Sequence, residues 1–137
     1  MKARILIDLE RCVGCWTCSM ACKMGNDLAD DEYRLFVRTL GSGSGIDRPA
    51  GVYPDLRMGW LPVYQKSCVL CAPRVAQGEM PYCVYDCPTG ALHFGDEADA
   101  GSDYCAETKR LKEKGYRLFE LPGWEGSKSG VTYASRK

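Results

Sequence analysis

The chain of 137 residues lacks a long apolar run, an excess of one charge and an even number of cysteines. No stretch approaches the roughly 18 apolar residues of a membrane-spanning helix. The N-terminal apolar run, Ile5 to Ile7, ends at Asp8 and is too short for the core of a secretory signal. Because 18 Lys and Arg balance 18 Asp and Glu, charge gives no argument for nucleic-acid binding. We therefore expect one domain, residues 1–137, without a membrane span, either cytoplasmic or exported in the folded state with a partner.

Cysteine is the abundant residue, and its odd count of nine excludes complete disulfide pairing. Eight cysteines form two groups, Cys12-x2-Cys15-x2-Cys18-x3-Cys22 and Cys68-x2-Cys71-x11-Cys83-x3-Cys87, and Pro88 follows the second group. Disulfides between such close neighbours would close small, strained rings. Metal binding is the better interpretation of this spacing.

The spacing of the first group favours iron–sulfur clusters over zinc. Zinc sites with four thiolates use paired knuckle turns, which a run of four cysteines does not supply. The pattern C-x2-C-x2-C-x3-C is the bacterial [4Fe–4S] arrangement, in which the fourth cysteine binds the other cluster. The second group repeats the arrangement with a longer middle spacing. We therefore predict two [4Fe–4S] clusters.

The exchange of fourth ligands predicts a ligand set for each cluster. The first cluster set is Cys12, Cys15, Cys18 and Cys87, and the second cluster set is Cys68, Cys71, Cys83 and Cys22. Each half of the chain then supplies one ligand to the other half's cluster. Metal binding and folding should consequently be coupled.

Hydrophobic patterns around the two groups predict an α+β fold with pseudo-twofold symmetry, in which each group lies in a strand–loop–helix–strand unit. We predict strands at 3–8, 33–40, 60–65, 91–95 and 131–134, and helices at 17–26, 81–86 and 103–114. The cluster-binding core would comprise residues 3–28 and 60–96, joined by a spacer loop at 29–59. Residues 41–45, a Gly-Ser repeat, should be a flexible part of that loop. Residues 97–137 would form a C-terminal tail of helix and strand that binds a partner.

Three segments resemble the iron–sulfur electron-transfer subunits of the dimethyl sulfoxide reductase family of molybdopterin enzymes. These segments are Ile7-Asp8-Leu9-Glu10-Arg11-Cys12-Val13-Gly14-Cys15, Cys68-Val69-Leu70-Cys71-Ala72-Pro73-Arg74 and Cys87-Pro88-Thr89-Gly90-Ala91-Leu92-His93-Phe94-Gly95-Asp96. Family members usually carry four cysteine groups, whereas this chain has only a group resembling the first and a group resembling the last. The resemblance therefore implies a reduced, ferredoxin-like form with two clusters.

The resemblance also implies a function and partners. The chain would relay electrons to or from a large molybdopterin catalytic subunit and would have no active site of its own. The first cluster would face that subunit, and the second would face an external electron donor or acceptor. Two alternatives are a free-standing ferredoxin, disfavoured by the long spacer and tail, and a zinc-stapled interaction module.

Several other residues could act near the clusters. Trp16 could shield the first cluster, and Lys66 and Arg74 could tune the second, although packing or a solvated surface position would explain each equally well. His93, the single histidine, is more often structural than a ligand. Cys105 is interpreted as a spare thiol because both sets are complete without it.

Overall fold

The computed structural model describes residues 3–39, 51–56, 58–121 and 130–136. The described residues form six strands and four helices. In chain order these are β1 (Ala3–Asp8), α1 (Thr17–Gly25), β2 (Leu35–Thr39), β3 (Trp60–Tyr64), α2 (Ala72–Val75), α3 (Tyr82–Tyr85), β4 (Leu92–Asp96), α4 (Asp103–Glu113), β5 (Arg117–Phe119) and β6 (Val131–Ser135). None of the helices within these ranges is long and apolar enough to cross a membrane.

The strands form two sheets. The larger sheet has the order β4-β1-β6-β5, in which β1 is antiparallel to β4 and parallel to β6, and β5 is antiparallel to β6. The smaller sheet is the antiparallel pair β2-β3. The strand before the first cysteine group therefore pairs with the strand after the second group, and the two inner strands pair with each other. This mixed α and β architecture agrees with the predicted class.

Strand β1 is apolar on both faces because both faces are covered. Ile5, Leu6 and Ile7 are all fully buried. Successive side chains of a strand point to opposite faces, so Ile5 and Ile7 pack in the cysteine-rich core, while Leu6 packs with Tyr104 and Leu111 of α4. The sequence predicts the first of these faces and not the second.

Helix α1 carries Cys18 and Cys22 on its buried side and packs against α3. The close approach depends on Gly25, where a Cβ atom would overlap the ring of Tyr82. The helix ends at Asn26, whose backbone N–H and side-chain amide both donate to the carbonyl of Cys22, at 3.0 and 2.9 Å. This C-cap fixes the last turn of α1 and therefore the position of Cys22.

Every predicted strand and helix is present, with ends that shift by one or two residues. The sequence analysis missed α2 and β5, which are only 4 and 3 residues long. The predicted Gly-Ser loop at 41–45 lies outside the described residues, as do 40, 46–50 and 57 of the spacer loop and 122–129 and 137 of the C-terminal tail.

The C-terminal tail is built into the sheet. Strand β6 lies between β1 and β5, and its five residues are all buried. Helix α4 covers the sheet face opposite the cysteine-rich core. The structure therefore makes part of 97–137 a component of the core, while its use as a partner-binding surface stays a prediction.

Candidate metal-cluster sites

All nine cysteines lie in the described part of the chain, and none forms a disulfide. Cys18, Cys68 and Cys83 belong to the main hydrophobic core, and Cys87 packs against it. Within the described ranges, no three His, Cys, Asp or Glu side chains converge as a site for one metal ion.

The structure brings the predicted first cluster set together around one cavity. Cys12, Cys15, Cys18 and Cys87 line this cavity together with Trp16. The loop that carries Cys12 and Cys15 and leads to Cys18 on α1 turns through left-handed backbone at Gly14 and Trp16, with φ of 70° and 66°. A side chain at Gly14 would overlap the indole of Trp60, so glycine is required both for the turn and for this packing.

The members of the second cluster set come from three segments of the chain. Cys22 lies on α1, Cys83 lies on α3, and Cys68 and Cys71 precede α2. All four are buried, whereas Cys15 of the first set is exposed. Burial raises the pKa of the Cys22 thiol, and the negative charges of Cys68 and Cys71 raise it further.

The polypeptide donates hydrogen bonds to several of these sulfurs. The backbone N–H of Leu70 lies 3.3 Å from Cys68 Sγ, and the N–H of Ala91 lies 3.4 Å from Cys87 Sγ. The Asn26 amide lies 3.6 Å from Cys22 Sγ. Donors aimed at sulfur stabilise thiolates, the form of cysteine that binds metal.

Cys87 shows the effect of these donors most clearly. Its partial burial raises the thiol pKa, but hydrogen bonds from the Ala91 backbone and from the side chain and backbone of Thr89 outweigh burial and lower the pKa overall. The Thr89 hydroxyl lies 3.7 Å from the sulfur. These hydrogen bonds favour the thiolate form of Cys87, which is the form that binds metal.

The deeper thiols behave in the opposite way. Burial raises the pKa of Cys18 to about 12, with a further increase from Cys12, and burial also raises the pKa of Cys83. Several buried thiolates without a cation would be costly. A positively charged iron–sulfur core would supply that charge and replace the thiol protons. The thiol ligands, the hydrogen bonds donated to their sulfurs and the burial of these groups therefore all fit a metal cluster at each set.

Cys18 of the first set and Cys83 of the second lie in the same hydrophobic core. The charge of Cys18 raises the pKa of Cys83. Tyr64 of β3 belongs to the same core, and its hydroxyl is 3.3 Å from Cys83 Sγ. Burial raises the pKa of Tyr64 well above its ordinary value, and Cys83, Cys18 and Cys68 add to that shift.

Arg74 braces the loop of the second cysteine group. Its Nε donates to the Met80 carbonyl at 2.7 Å, its Nη1 lies 2.8 Å from the Glu79 carboxylate, and its guanidinium lies 4.1 Å from the centre of the Tyr82 ring. These contacts connect the segment after Cys71 to the segment before Cys83. Lys66 is exposed.

The remaining candidates have structural surroundings. Trp16 lines the first cavity and packs on the main core. His93 Nδ1 lies 2.9 Å from Asp103 Oδ2, so this side chain connects β4 to α4. Cys105 lies on α4, where its thiol donates to the Glu97 carbonyl at 3.4 Å, and it belongs to neither cluster set.

Tyr64, Asn26 and Thr89 are the sulfur-contacting residues that sequence analysis missed. Asn26 could have been found, because it follows Cys22 by four residues at the end of a predicted helix, where side chains four apart are neighbours. Tyr64 and Cys83 are 19 residues apart, and no local pattern joins them.

Comparison with known proteins identifies the cofactor class. Residues 48–97 match the family model of the 4Fe-4S dicluster domain. The chain is 32% identical over 106 residues to the iron-sulfur subunit of a putative dimethyl sulfoxide reductase from Halobacterium salinarum, covering 73% of this chain and 36% of the relative. It is 32% identical over 93 residues to the iron-sulfur subunit of the arsenate respiratory reductase from a Shewanella species, covering 68% of this chain and 32% of the relative. It is 26% identical over 139 aligned positions to a sulfite dehydrogenase subunit from Allochromatium vinosum, covering 97% of this chain and 44% of the relative.

These matches confirm the resemblance and the prediction of [4Fe–4S] clusters. The chain spans less than half the length of these three relatives. The matched range 48–97 contains the second cysteine group and not the first. Which cysteine binds which cluster stays a prediction.

Proposed function

We propose that this chain, similar to iron–sulfur subunits of several oxidoreductases, relays electrons through two [4Fe–4S] clusters to or from a molybdopterin catalytic subunit. It would have no active site of its own. The observation that supports the proposal is the arrangement of eight cysteines as two adjacent sets, with the sulfur-directed donors described above. Each cluster, when bound, would carry one electron at a time.

The proposed ligands are Cys12, Cys15, Cys18 and Cys87 for the first cluster and Cys68, Cys71, Cys83 and Cys22 for the second. The same crossing motivates a ferredoxin-like core with pseudo-twofold symmetry, in which β1-α1-β2 corresponds to β3-α3-β4. The pairing of β1 with β4 and of β2 with β3 supports this correspondence. The protein residues would hold the clusters, exclude water from them and donate hydrogen bonds to the sulfurs.

We propose that the two clusters have different partners. The first cluster would face the catalytic subunit, and the second an external donor or acceptor. The exposed Cys15 and the neighbouring Val13, which is 52% exposed, support contact with a partner at the first site. An apolar side chain at that surface suits a protein interface that excludes water from the electron path.

The proposal is tested by anaerobic purification of the chain alone and after coexpression with a molybdopterin subunit encoded beside it. We expect a brown protein with about eight iron atoms per chain, from two four-iron clusters, and stable copurification with the molybdopterin subunit. A colourless protein that contains zinc would support the alternative of a zinc-stapled interaction module. A brown protein that never associates with the molybdopterin subunit would support a free-standing ferredoxin.

A further inference from the structure

Tyr64 is a buried residue that contacts the second cluster set. It ends β3, its side chain is only 3% exposed, and its hydroxyl lies 3.3 Å from Cys83 Sγ. Cys18 of the first set and Cys68 of the second belong to the same hydrophobic core as Tyr64. A buried hydroxyl needs a hydrogen-bond partner, and Cys83 supplies one.

The direction of this hydrogen bond follows from the chemistry of the ligand. In a free thiol, either atom could be the donor. Once Cys83 binds iron, its sulfur carries no proton, so the Tyr64 hydroxyl must donate and the sulfur must accept. Reduction adds one electron to the cluster and increases the negative charge that the cysteine sulfurs share. A donated hydrogen bond therefore stabilises the reduced cluster more than the oxidised one.

We infer that Tyr64 tunes the reduction potential of the cluster that Cys83 binds, raising it through the O–H···S hydrogen bond. The inference rests on the proposed function, because it requires a cluster at the second set. No proton is transferred: one electron enters or leaves the cluster while the hydroxyl keeps its hydrogen. Tyr64 shares a core with members of both sets, so a change in the potential of the second cluster would change the driving force for electron transfer between the clusters.

The test is Tyr64→Phe, which removes the hydroxyl and keeps the ring. In a redox titration of the loaded protein followed by electron paramagnetic resonance, we expect the second cluster to become harder to reduce. The ratio of reduced to oxidised cluster at a fixed potential should fall by about threefold to tenfold, where tenfold corresponds to about 59 mV for a one-electron couple. The first cluster should shift much less.

Tyr104→Phe is the matched control. Tyr104 is also a buried tyrosine, but its hydroxyl lies 3.0 Å from Thr132 Oγ1, and its ring packs with Leu6 on the sheet face away from the cysteine sets. This variant loses a buried tyrosine hydroxyl without losing a donor to sulfur. Both potentials should therefore remain at their wild-type values.

For a second variant, with 3-fluorotyrosine at position 64, we expect the reduction potential of the second cluster to shift in the opposite direction. Fluorine makes the hydroxyl a stronger donor, so the second cluster should become easier to reduce. If Tyr64→Phe fails to bind clusters, this variant decides the question. Unchanged potentials in the loaded variants would overturn the inference while leaving the proposed function intact. A wild-type chain that binds no iron would instead overturn the proposed function.

Discussion

At the scale of single residues, Cys22 and Cys87 are the cysteines that connect the two halves of the chain. Cys22 follows the first group on α1, yet its neighbours are Cys68 and Cys71. Cys87 follows α3, yet it lines the cavity of Cys12, Cys15 and Cys18. Each should therefore be required for the cluster of the other half.

We predict that Cys87→Ala damages the first cluster and that Cys22→Ala damages the second. Each variant should lose up to about four of about eight iron atoms, since a four-iron cluster depends on its four thiolates. Iron analysis gives the count, and electron paramagnetic resonance of the reduced protein shows which of the two signals is lost. Losses in the opposite order would disprove the crossed ligand sets.

Cys105→Ala is the control for both substitutions. Its thiol donates only to backbone carbonyls near the end of β4, at 3.4 and 3.6 Å. We expect the full iron content and both spectroscopic signals. Loss of a cluster in this variant would give Cys105 a ligand role that neither set includes.

The two cysteine groups could be predicted from the sequence, whereas the hydrogen-bond donor Tyr64 could not, and the reason is physical. Close spacing in the chain makes Cys12, Cys15 and Cys18 a recognisable group, because a short loop can direct all three inward. Tyr64 reaches Cys83 only after β3 and α3 have packed together. Contacts of that kind depend on tertiary structure, which local spacing does not encode.

At the scale of secondary structure elements, the segment from Cys71 to Cys83 has to return the chain to the second site. The short helix α2 begins after left-handed backbone at Leu70 and Cys71, with φ of 54° and 50°. Glu79 N–H then donates to the Arg74 carbonyl at 3.1 Å, while the Arg74 side chain binds Met80, Glu79 and Tyr82. Arg74 is therefore the main brace of this loop.

We predict that Arg74→Ala lowers the free energy of unfolding by about 1–2 kcal/mol, because it removes a charged hydrogen bond and a cation–π contact. The exposed ion pair with Glu79 should add little. The second cluster should be lost faster than the first when a chelator is added, which its separate spectroscopic signal would show.

Arg117→Ala is the matched control for the brace. Arg117 also lies over an aromatic ring, 5.2 Å from the centre of Phe119, but it belongs to β5, at the edge of the larger sheet. Its substitution should leave the rate of cluster loss unchanged. Equal effects of the two arginine substitutions would show that Arg74 has no specific role in the loop.

Helices and strands could be predicted from the sequence where the hydrophobic pattern extends over enough residues. The apolar run of β1 and the amphipathic pattern of α4 are clear in the sequence, and both elements were predicted to within one residue. Helix α2 and strand β5 are too short to show a period. Pro73 in the first turn of α2 was nevertheless a usable signal for a helix start.

At the scale of the whole molecule, the sheet joins the C-terminal tail to the cysteine-rich core. Strand β6 pairs with β1 at four positions, the first of which joins Ile5 to Val131. It therefore lies beside the strand that leads to the first cysteine group. Tyr133 of β6 is buried in the main core and donates its hydroxyl hydrogen to the Pro62 carbonyl on β3, at 2.5 Å. Sequence analysis separated the tail from the core because strand pairing over more than 120 residues leaves no local pattern.

We predict that truncation after Phe119 abolishes cluster binding as well as partner binding. It removes β6 with the buried Val131, Tyr133 and Ala134 and leaves β1 unpaired on one side. Burial of each large side chain contributes about 2 kcal/mol, against a total stability of about 5–15 kcal/mol for a domain. Iron content after anaerobic purification and resistance to proteolysis measure the loss.

Truncation after Ser135 is the matched control, because it keeps all of β6 and should retain about eight iron atoms.

Tyr133→Ala is a milder version of the same test. It should lower the free energy of unfolding by about 3–5 kcal/mol, as expected for a large aromatic side chain removed from a core, and thermal unfolding of the loaded protein would measure the change. If the chain truncated after Phe119 still held both clusters, the tail would be only an appendage for a partner. Because β6 is part of the core, we expect instead that removing this strand abolishes partner binding and cluster binding together.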